Sequence, residues 1–205
     1  SLTYLGQTDS VFGAADIIGN RFEIVVRSLS DSDCRHIQMR SPLVRATGFP
    51  NYFDDQRFGS MGASKEFIAA RWCLKDYERA LWLALAEHNR HDNGSERAQK
   101  TILRDQWGKW EECKQQLDRS HRRSIVTYLV DHPTKFRKAF ALVNENLRGL
   151  YLSAFQSAVW NRMLAKAICT HNPSSIDAHG FSVEVGDCSL PFRFMSEEET
   201  SRWKE

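Results

Sequence analysis

Apolar residues near the start of this chain alternate with mostly polar ones. Phe22, Ile24 and Val26 are each separated by one residue, which is the period of a strand with one buried face. The alternation therefore predicts a strand over residues 21–28. The serines and aspartates that follow offer N-cap chemistry, which predicts a short helix over residues 33–39, with its continuation toward residue 47 left open.

The middle of the chain has the three-to-four-residue period of helices. The pattern fits one long or two short helices over residues 67–85, followed by a polar turn over residues 88–95. One apolar stripe predicts a single helix over residues 96–119. Its members are Leu103, Trp107, Trp110, Cys113 and Leu117. Gly108 costs this helix about 1 kcal/mol relative to alanine, which weakens the helix without breaking it.

Proline and glycine mark the later elements. Pro133 disfavours helix in the residue before it, so one helix is expected to end there and another to begin. Gly149 is expected to stop or bend that second helix before a long helix over residues 151–168. Alternating apolar residues predict a short strand over residues 181–185, and the residues after it have no predicted element. Strands and helices together give an α+β fold.

The composition limits the class of protein. Hydrophobic residues make up 41% of the 205, which suffices for a core, and the formal net charge of +2 does not by itself indicate a nucleic-acid partner. No run approaches the roughly 20 apolar residues of a membrane span, and residues 1–10 do not resemble a signal peptide. We therefore expect a cytoplasmic protein with no membrane contact. The five cysteines show no C-x-x-C spacing, so neither a disulfide framework nor a zinc knuckle is suggested.

Charge is distributed unevenly along the chain. Residues 97–148 contain twelve Lys and Arg against six Asp and Glu, whereas residues 171–205 contain three against seven. The basic surplus in the middle suits an RNA backbone, and a merely solvated face is an equal alternative. The candidate phosphate contacts are Arg122, Arg123, Lys135, Arg137 and Lys138.

The densest stretch of candidate chemistry is TGFPNYFDDQRFGS, residues 47–60, which we term the signature loop. Gly48, Pro50 and Gly59 give it the composition of an ordered loop. Its middle combines aromatic rings with amide and guanidinium groups, a set that can stack on a base, read its edge and hold a phosphate. These residues are Asn51, Tyr52, Phe53, Gln56, Arg57 and Phe58. The alternative is a loop whose aromatic rings only fill the core beneath it.

Other patterns give weaker signals. Asp54 and Asp55 are adjacent, but neighbouring side chains in an extended loop diverge, so an acid–base pair is not expected. His88 and His91 suggest no third ligand, so no metal site is expected. The chain contains no Walker motif, no G-x-G-x-x-G and no G-x-S-x-G, and therefore no cofactor is indicated.

Three stretches, in order along the chain, resemble motifs of one known family. Residues 19–22 read G-N-R-F, residues 51–59 read N-Y-F-D-D-Q-R-F-G, and residues 151–161 read Y-L-S-A-F-Q-S-A-V-W-N. They resemble the G-N-x-F motif, the N-Y-F-x-x-Q-R-F-G signature and the S-x-x-Q-S-x-x-W/F-N helix of the TruD family of pseudouridine synthases. The resemblance covers approximately residues 6–164.

The resemblance implies an enzyme that isomerises a uridine in RNA, with tRNA as its partner and no cofactor or metal. In that family an aspartate initiates cleavage of the glycosidic bond, the freed uracil turns, and C5 rejoins the ribose. A pocket of this kind has to hold a flipped base. The implied architecture is part of a pseudouridine-synthase-type mixed sheet in residues 1–60, followed by a mainly helical TruD-type insertion domain in residues 61–205.

The resemblance also assigns candidate substrate-binding residues by position. Asn20 corresponds to a polar contact in the pocket and Phe22 to the stacking ring, with a core strand residue as the alternative for Phe22. In the signature loop the candidates are Asn51, Phe53, Gln56, Arg57 and Phe58, which either touch RNA or brace the pocket. A guanidinium beside two phenylalanines can stack and bind an anion together, so Arg57 is the foremost candidate. The helix over residues 151–168 is interpreted as scaffold.

One departure from the family affects the function. The family's catalytic aspartate lies in a K-D-R/K-like motif some tens of residues before G-N-x-F, and residues 1–18 contain no such motif. The catalytic residue is therefore unknown. The chain represents either a TruD-type synthase, through part of its catalytic domain and most of its helical insertion domain, or a non-catalytic RNA-binding module derived from the family. A third reading is a helical interaction domain whose motif matches are accidental. The oligomeric state is not indicated.

Overall fold

The computed structural model describes residues 4, 6, 7, 9, 11, 13, 16–19, 21–171, 181–185 and 188–192. Helices predominate among them. Contacts group the chain into two compact units, Ser1–Arg45 and Ala46–Glu205. The signature loop therefore groups with the helices that follow it, while the domain boundary at residue 60 stays a prediction.

The first unit does not contain the expected strand. Residues 21–29 have no strand conformation, so the strand predicted over residues 21–28 is wrong. Phe22, Ile24 and Val26 are 80%, 82% and 63% exposed, and their alternation marks no buried face. A strand is stable only where a neighbour takes up its backbone hydrogen bonds, and no described residue pairs with this segment. The predicted mixed sheet is likewise not found among the described residues.

Helix α1, Asp31–Thr47, confirms the predicted helix and extends it to the start of the signature loop. It begins with a reciprocal cap, because the Ser30 N–H donates to Asp33 Oδ2 at 2.9 Å and the Asp33 N–H donates to Ser30 Oγ at 3.2 Å. The Ser30 hydroxyl also donates to Asp33 Oδ2, at 2.6 Å. The bond from the Ser30 hydroxyl is the main reason that the pKa of Asp33 is lowered. Gly48 ends the helix with φ +71°, a conformation that glycine adopts readily.

Six short helices of the second unit pack around one hydrophobic core. They are α2 (Ile68–Cys73), α3 (Tyr77–Leu85), α4 (Gly94–Asp105), α5 (Trp110–Gln116), α6 (His121–Asp131) and α7 (Phe136–Ala141). The largest fully buried side chains are Phe140, Leu81, Leu103, Ile125, Leu129, Val126 and Cys113. Burying one such leucine or phenylalanine contributes about 1.5–3 kcal/mol, so the apolar stripes read from the sequence do form the core.

The single helix predicted over residues 96–119 is instead two helices, α4 and α5, separated at Gly108. Gly108 has φ +91°, which side chains other than glycine rarely adopt, so the chain turns there rather than continuing as a helix. The turn brings the Trp107 and Trp110 rings to 4.9 Å, nearly perpendicular to each other. Both helices bury the same apolar stripe, which is why the sequence pattern does not show the break.

The unit ends with a long helix and a hairpin. Helix α8, Glu145–His171, includes Gly149, so the helix does not stop there, and the alternative of a bend at Gly149 stays a prediction. Strand β1 (Phe181–Val185) is as predicted, and it pairs antiparallel with β2 (Cys188–Phe192). The sequence does not reveal β2, because Pro191 has no N–H to give to a ladder. Strand β2 packs against α8, which brings the hairpin close to the signature loop.

Candidate functional site

Helix α8 holds the signature loop through the backbone of the loop. Asn161 is 4% exposed, and its side-chain amide pairs with Phe53 as a strand would. The Phe53 N–H donates to Asn161 Oδ1 at 2.9 Å, and Asn161 Nδ2 donates to the Phe53 carbonyl at 2.9 Å. Trp160 Nε1 donates to the Asn51 carbonyl at 2.9 Å. The loop is thus fixed at two carbonyls and one amide.

Arg57 lies against both the loop and α8. Its guanidinium carbon is 5.2 Å from the centre of the Phe53 ring, which confirms the expected stacking. Its Nε donates to Ser157 Oγ at 3.2 Å, and the buried Ser157 hydroxyl donates to the Ser153 carbonyl at 2.7 Å. Among the described residues the terminal nitrogens of Arg57 have no hydrogen-bond partner. They are therefore available to an anion.

Tyr52 connects the loop to the hairpin. Its hydroxyl donates to the Pro191 carbonyl in β2 at 2.8 Å. Burial raises the pKa of Tyr52 to about 12, and Cys169 contributes in the same direction. The hydroxyl therefore stays protonated at neutral pH and keeps this hydrogen bond.

The end of the signature loop is held by Asn89, in the polar turn after α3. Asn89 Nδ2 donates to the carbonyls of Gly59 and Met61 at 2.6 and 3.0 Å. Asn89 N–H donates to Asp92 Oδ2 at 2.6 Å, and Asp92 Oδ1 accepts from Lys100 at 2.7 Å. Burial raises the pKa of Asp92, but the bonds from Lys100 and Asn89 outweigh it and leave the pKa lowered. The loop thus has a second attachment, independent of α8.

The side chain of Glu87 packs against and binds the backbone of residues 62–64, directly after the loop. It is 6% exposed and accepts the Ser64 N–H at 2.9 Å. A Cβ on Gly62 would lie 2.3 Å from Glu87 Oε2, so the backbone approaches this carboxylate at a distance that only glycine permits.

A cleft of about 400 Å³ lies between the signature loop, α8 and the hairpin. Its apolar lining consists of Phe58, Met61, Phe67, Ala158, Val185 and Leu190. The Phe58 and Phe67 rings meet edge-on, with centroids 6.1 Å apart. The charged residues that line it, among those the structure describes, are Lys65, Arg90, Arg162 and Asp55.

The predicted substrate-binding residues are distributed as follows. Asn51, Gln56 and Arg57 are exposed on the loop surface, whereas Phe53 and Phe58 are half-buried. Phe22, in the first unit, is exposed and is not a core strand residue. Asn20 lies outside the described residues.

The five predicted phosphate contacts lie on two neighbouring helices, at the start of α6 and at the start of α7. His121 Nε2 lies 2.8 Å from the Leu142 carbonyl, so α6 and α7 run antiparallel and their first residues are at opposite ends. The other three candidates are at the start of α7, where Lys138 lies about one helical turn before Leu142. Those residues, Lys135, Arg137 and Lys138, are exposed.

Arg122 differs from the other four cations. Its guanidinium makes a two-point bond with the Glu96 carboxylate of α4, and its side chain is 14% exposed. Its charge is therefore already paired, whereas Arg123 is half-buried without an ion pair among the described residues. The ion pair joins α6 to α4 across 26 residues of sequence, so a count of charges along the chain does not reveal that Arg122 is paired.

The Asp54–Asp55 pair and the His88–His91 pair, both noted in the sequence, include residues that form hydrogen bonds within the protein. Asp54 caps the 3₁₀ turn Asp55–Phe58, where its Oδ1 accepts the Asp55 N–H at 2.7 Å. His88 Nε2 lies 3.0 Å from Thr101 Oγ1, and His91 Nε2 accepts from Arg90 Nε at 3.1 Å.

Sequence analysis missed two groups of site residues. Asn161 and Trp160 belong to the third family-like stretch, so their contact with the loop had a signal, although that helix was interpreted as scaffold only. Asn89 and Glu87 had no such signal in the sequence, because the composition of a polar turn does not reveal which backbone groups its side chains will contact.

Within the described residues, no three His, Cys, Asp or Glu side chains are grouped so that they could hold a metal ion. None of the helices that these residues form has the length and apolar character needed to cross a membrane.

Comparison with known proteins finds a family-model match over residues 1–180, to tRNA pseudouridine synthase D (TruD). Similar curated proteins include a probable tRNA pseudouridine synthase D 1 of Methanococcus maripaludis, 31% identical over 80% of this chain and 42% of the relative. A probable tRNA pseudouridine synthase D 2 of Methanocaldococcus jannaschii is 28% identical over 89% of this chain and 43% of the relative. A tRNA pseudouridine synthase D of Aquifex aeolicus is 31% identical over 80% of this chain and 41% of the relative.

The chain spans about two fifths of the length of these relatives. The family match includes the G-N-R-F stretch, the signature loop and the α8 motif, so the resemblance of these motifs is not accidental and the third reading is wrong. The match also includes every helix of the structure. On this evidence the chain belongs to the TruD family of tRNA pseudouridine synthases, of which it represents a mainly helical part.

Proposed function

We propose that this chain is the RNA-holding part of a tRNA pseudouridine synthase of TruD type, which isomerises a uridine in tRNA to pseudouridine. The observation that carries the proposal is the bonding of Asn161 to Phe53, 108 residues apart. It joins two stretches that separately resemble family motifs into one structural site. The names of the relatives supply the reaction and the substrate class.

The signature loop offers the chemistry that an extruded nucleotide requires. A base taken out of its stack needs a flat wall and polar groups, and its phosphate needs a cation. Arg57, stacked on Phe53 with its terminal nitrogens unoccupied among the described residues, supplies a cation in a fixed place. Asn51 and Gln56 are exposed beside it and can accept or donate hydrogen bonds. We propose that these residues hold RNA.

The exposed cations at the start of α7 are the proposed contacts to the RNA backbone. Each phosphate contact adds about 0.7–0.9 to the slope of log affinity against log salt. A triple variant in which Lys135, Arg137 and Lys138 are each replaced by glutamine should therefore show a slope that is shallower by about two to three. The slope is measured by filter binding of a tRNA transcript at several salt concentrations. Arg122→Gln is the matched control, because Glu96 already pairs that charge. A shallower slope in the control variant alone would indicate that the RNA backbone contacts α6 and not α7.

The reaction itself is tested with a chimera in which this chain replaces its matched segment in the Methanococcus maripaludis relative. We expect the chimera to form pseudouridine in unmodified tRNA, detected by cyanoethylation and the resulting mass shift. The polypeptide of residues 1–205 alone should bind tRNA and form none. The reaction needs a carboxylate held at the nucleotide, and residues 1–18 lack the K-D-R/K motif.

The second candidate is a non-catalytic RNA-binding module derived from the same family, for which the exposed loop residues and the exposed cations of α7 would suffice without a catalytic carboxylate. A chimera that melts cooperatively and binds tRNA but forms no pseudouridine, while the parent relative does, would establish this candidate instead. Product formed by residues 1–205 alone and lost in Asp54→Asn or Asp55→Asn would place the carboxylate in the signature loop. Both functions keep RNA as the partner and the cytoplasm as the proposed location.

A further inference from the structure

The cleft between the signature loop, α8 and the hairpin has the size and the lining of a small-ligand site. Its volume of about 400 Å³ lies within the range of about 300–1,000 Å³ that such sites have. One wall is preformed, because Phe58 packs edge-on against Phe67, and Phe67 in turn packs against Phe155 at 5.7 Å. Met61 adds a side chain that adapts to the shape of a ligand.

The polar lining of the cleft favours an anion. Among the described residues, the charged groups that line the cleft are the cations of Lys65, Arg90 and Arg162 and the carboxylate of Asp55. Arg90 and Arg162 are exposed, and neither forms an ion pair with any residue that the structure describes. A guanidinium presents a planar fork of donors that matches the oxygens of a phosphate.

These two linings together select the class of ligand. An inorganic anion would leave the aromatic wall in water, and an apolar molecule would leave both guanidinium charges without a counter-charge. A nucleotide satisfies both, since its base is flat and its phosphate is anionic.

We propose that this cleft is a subsite for one nucleotide of the bound RNA, with the base against Phe58, Met61 and Phe67 and the phosphate at Arg90 and Arg162. The inference rests on the proposed function, because that function makes RNA the natural source of the nucleotide. The subsite is distinct from Arg57, whose guanidinium lies on Phe53 and does not line the cleft.

The test uses methyl NMR of the full chain labelled at its four methionines. Met61 lines the cleft, whereas Met163, exposed on α8, does not and serves as the internal control. Uridine 5′-monophosphate should shift the Met61 signal saturably and leave the Met163 signal in place. Uridine should produce the same shift with about tenfold weaker affinity, because it lacks the charge-assisted contacts. Inorganic phosphate should shift Met61 little.

Two variants locate the two halves of the ligand. Arg162→Gln should weaken binding of the monophosphate about tenfold and change binding of uridine by less than about twofold. Ala158→Leu, which narrows the cleft from α8, should weaken both. Lys166→Gln, one helical turn beyond Arg162, exposed and outside the cleft, is the matched control and should weaken neither.

The outcomes separate this inference from the proposed function, because tRNA binding is measured on the same samples. No saturable Met61 shift in a chain that binds tRNA overturns the subsite and leaves the function standing. A Met61 shift in a chain that does not bind tRNA supports the subsite for free nucleotides and contradicts the function. Equal affinities of phosphate and the monophosphate would show an anion site without a base, which also overturns the subsite.

Discussion

The signature loop and the segment over residues 21–29 both carry family-like residues, yet the structure treats them differently. The loop has no regular ladder of its own, and side chains of Asn161, Trp160 and Asn89 take up its backbone groups. The segment has the alternation of a strand, and its apolar residues remain exposed. An alternating sequence pattern is therefore a weaker indicator of regular structure than the presence of hydrogen-bond partners for the backbone.

The comparison also shows how long-range contacts decide local structure. The amide of Asn161 acts on Phe53 as a neighbouring strand would, with one donor and one acceptor. No described residue does the same for residues 21–29. Replacing loop anchors should therefore cost stability, while replacing apolar residues of the segment should not.

The largest effect is expected for Asn161→Ala. It leaves the N–H and the carbonyl of Phe53 without their partners, which should lower the free energy of unfolding by about 2–4 kcal/mol. The measurement is urea unfolding followed by circular dichroism. The matched control is Gln156→Ala on an exposed position of the same helix, expected to change stability by less than about 0.5 kcal/mol. Equal losses in both variants would mean that helix propensity, not loop anchoring, is being measured.

Gly48→Ala should cost about 1–2 kcal/mol, because φ +71° strains any residue with a Cβ even though nothing crowds the site. Thermal melting is a sufficient measurement. Gly19→Ala, in the G-N-R-F stretch, has open space and no positive φ, so its melting temperature should stay unchanged. If Gly19→Ala proves as costly as Gly48→Ala, the two stretches are equally constrained and the contrast fails.

Stability should fall as pH rises from about 10 toward 12, partly through Tyr52. Since its folded-state pKa is raised, the unfolded state loses its proton first, and unfolding becomes more favourable in this window. Unfolding free energies at pH 8 and pH 11 should therefore differ less in Tyr52→Phe than in the wild type. Tyr4→Phe, an exposed tyrosine of the first unit, is the control and should preserve the wild-type difference. Equal pH dependence in both variants would remove Tyr52 as a cause.

The smallest effect is expected in residues 21–29. Ile24 is 82% exposed, so Ile24→Ser should change the free energy of unfolding by less than about 0.5 kcal/mol. Urea unfolding under the conditions used for Asn161→Ala allows a direct comparison. A loss above about 1 kcal/mol would show that Ile24 is buried after all.

Sequence reasoning recovered most helices because their determinants are local. The cap at Ser30, the proline at residue 133 and the apolar stripes each act within a few residues. Gly108 was misjudged because glycine is compatible with a weakened helix or with a turn, and only packing decides between them. Pro191 concealed β2, since a proline in a paired strand is unusual.

The predicted site residues stay a prediction, and the sequence shows only some of the contacts that hold them in place. The loop residues stand out by composition, and the family-like stretches gave their order. Which helix residue meets which peptide group depends on contacts more than 100 residues apart. The same holds for Arg122, whose pairing with Glu96 separates it from the exposed cations of α7.

The way in which α8 grips the signature loop has a consequence for how this surface can change. Asn161 and Trp160 bind peptide groups, which every residue carries, rather than side chains. The identities of Asn51, Phe53 and their neighbours can therefore diverge without detaching the loop. Substitutions can therefore change the side chains that the loop exposes, while α8 continues to hold the backbone of the loop.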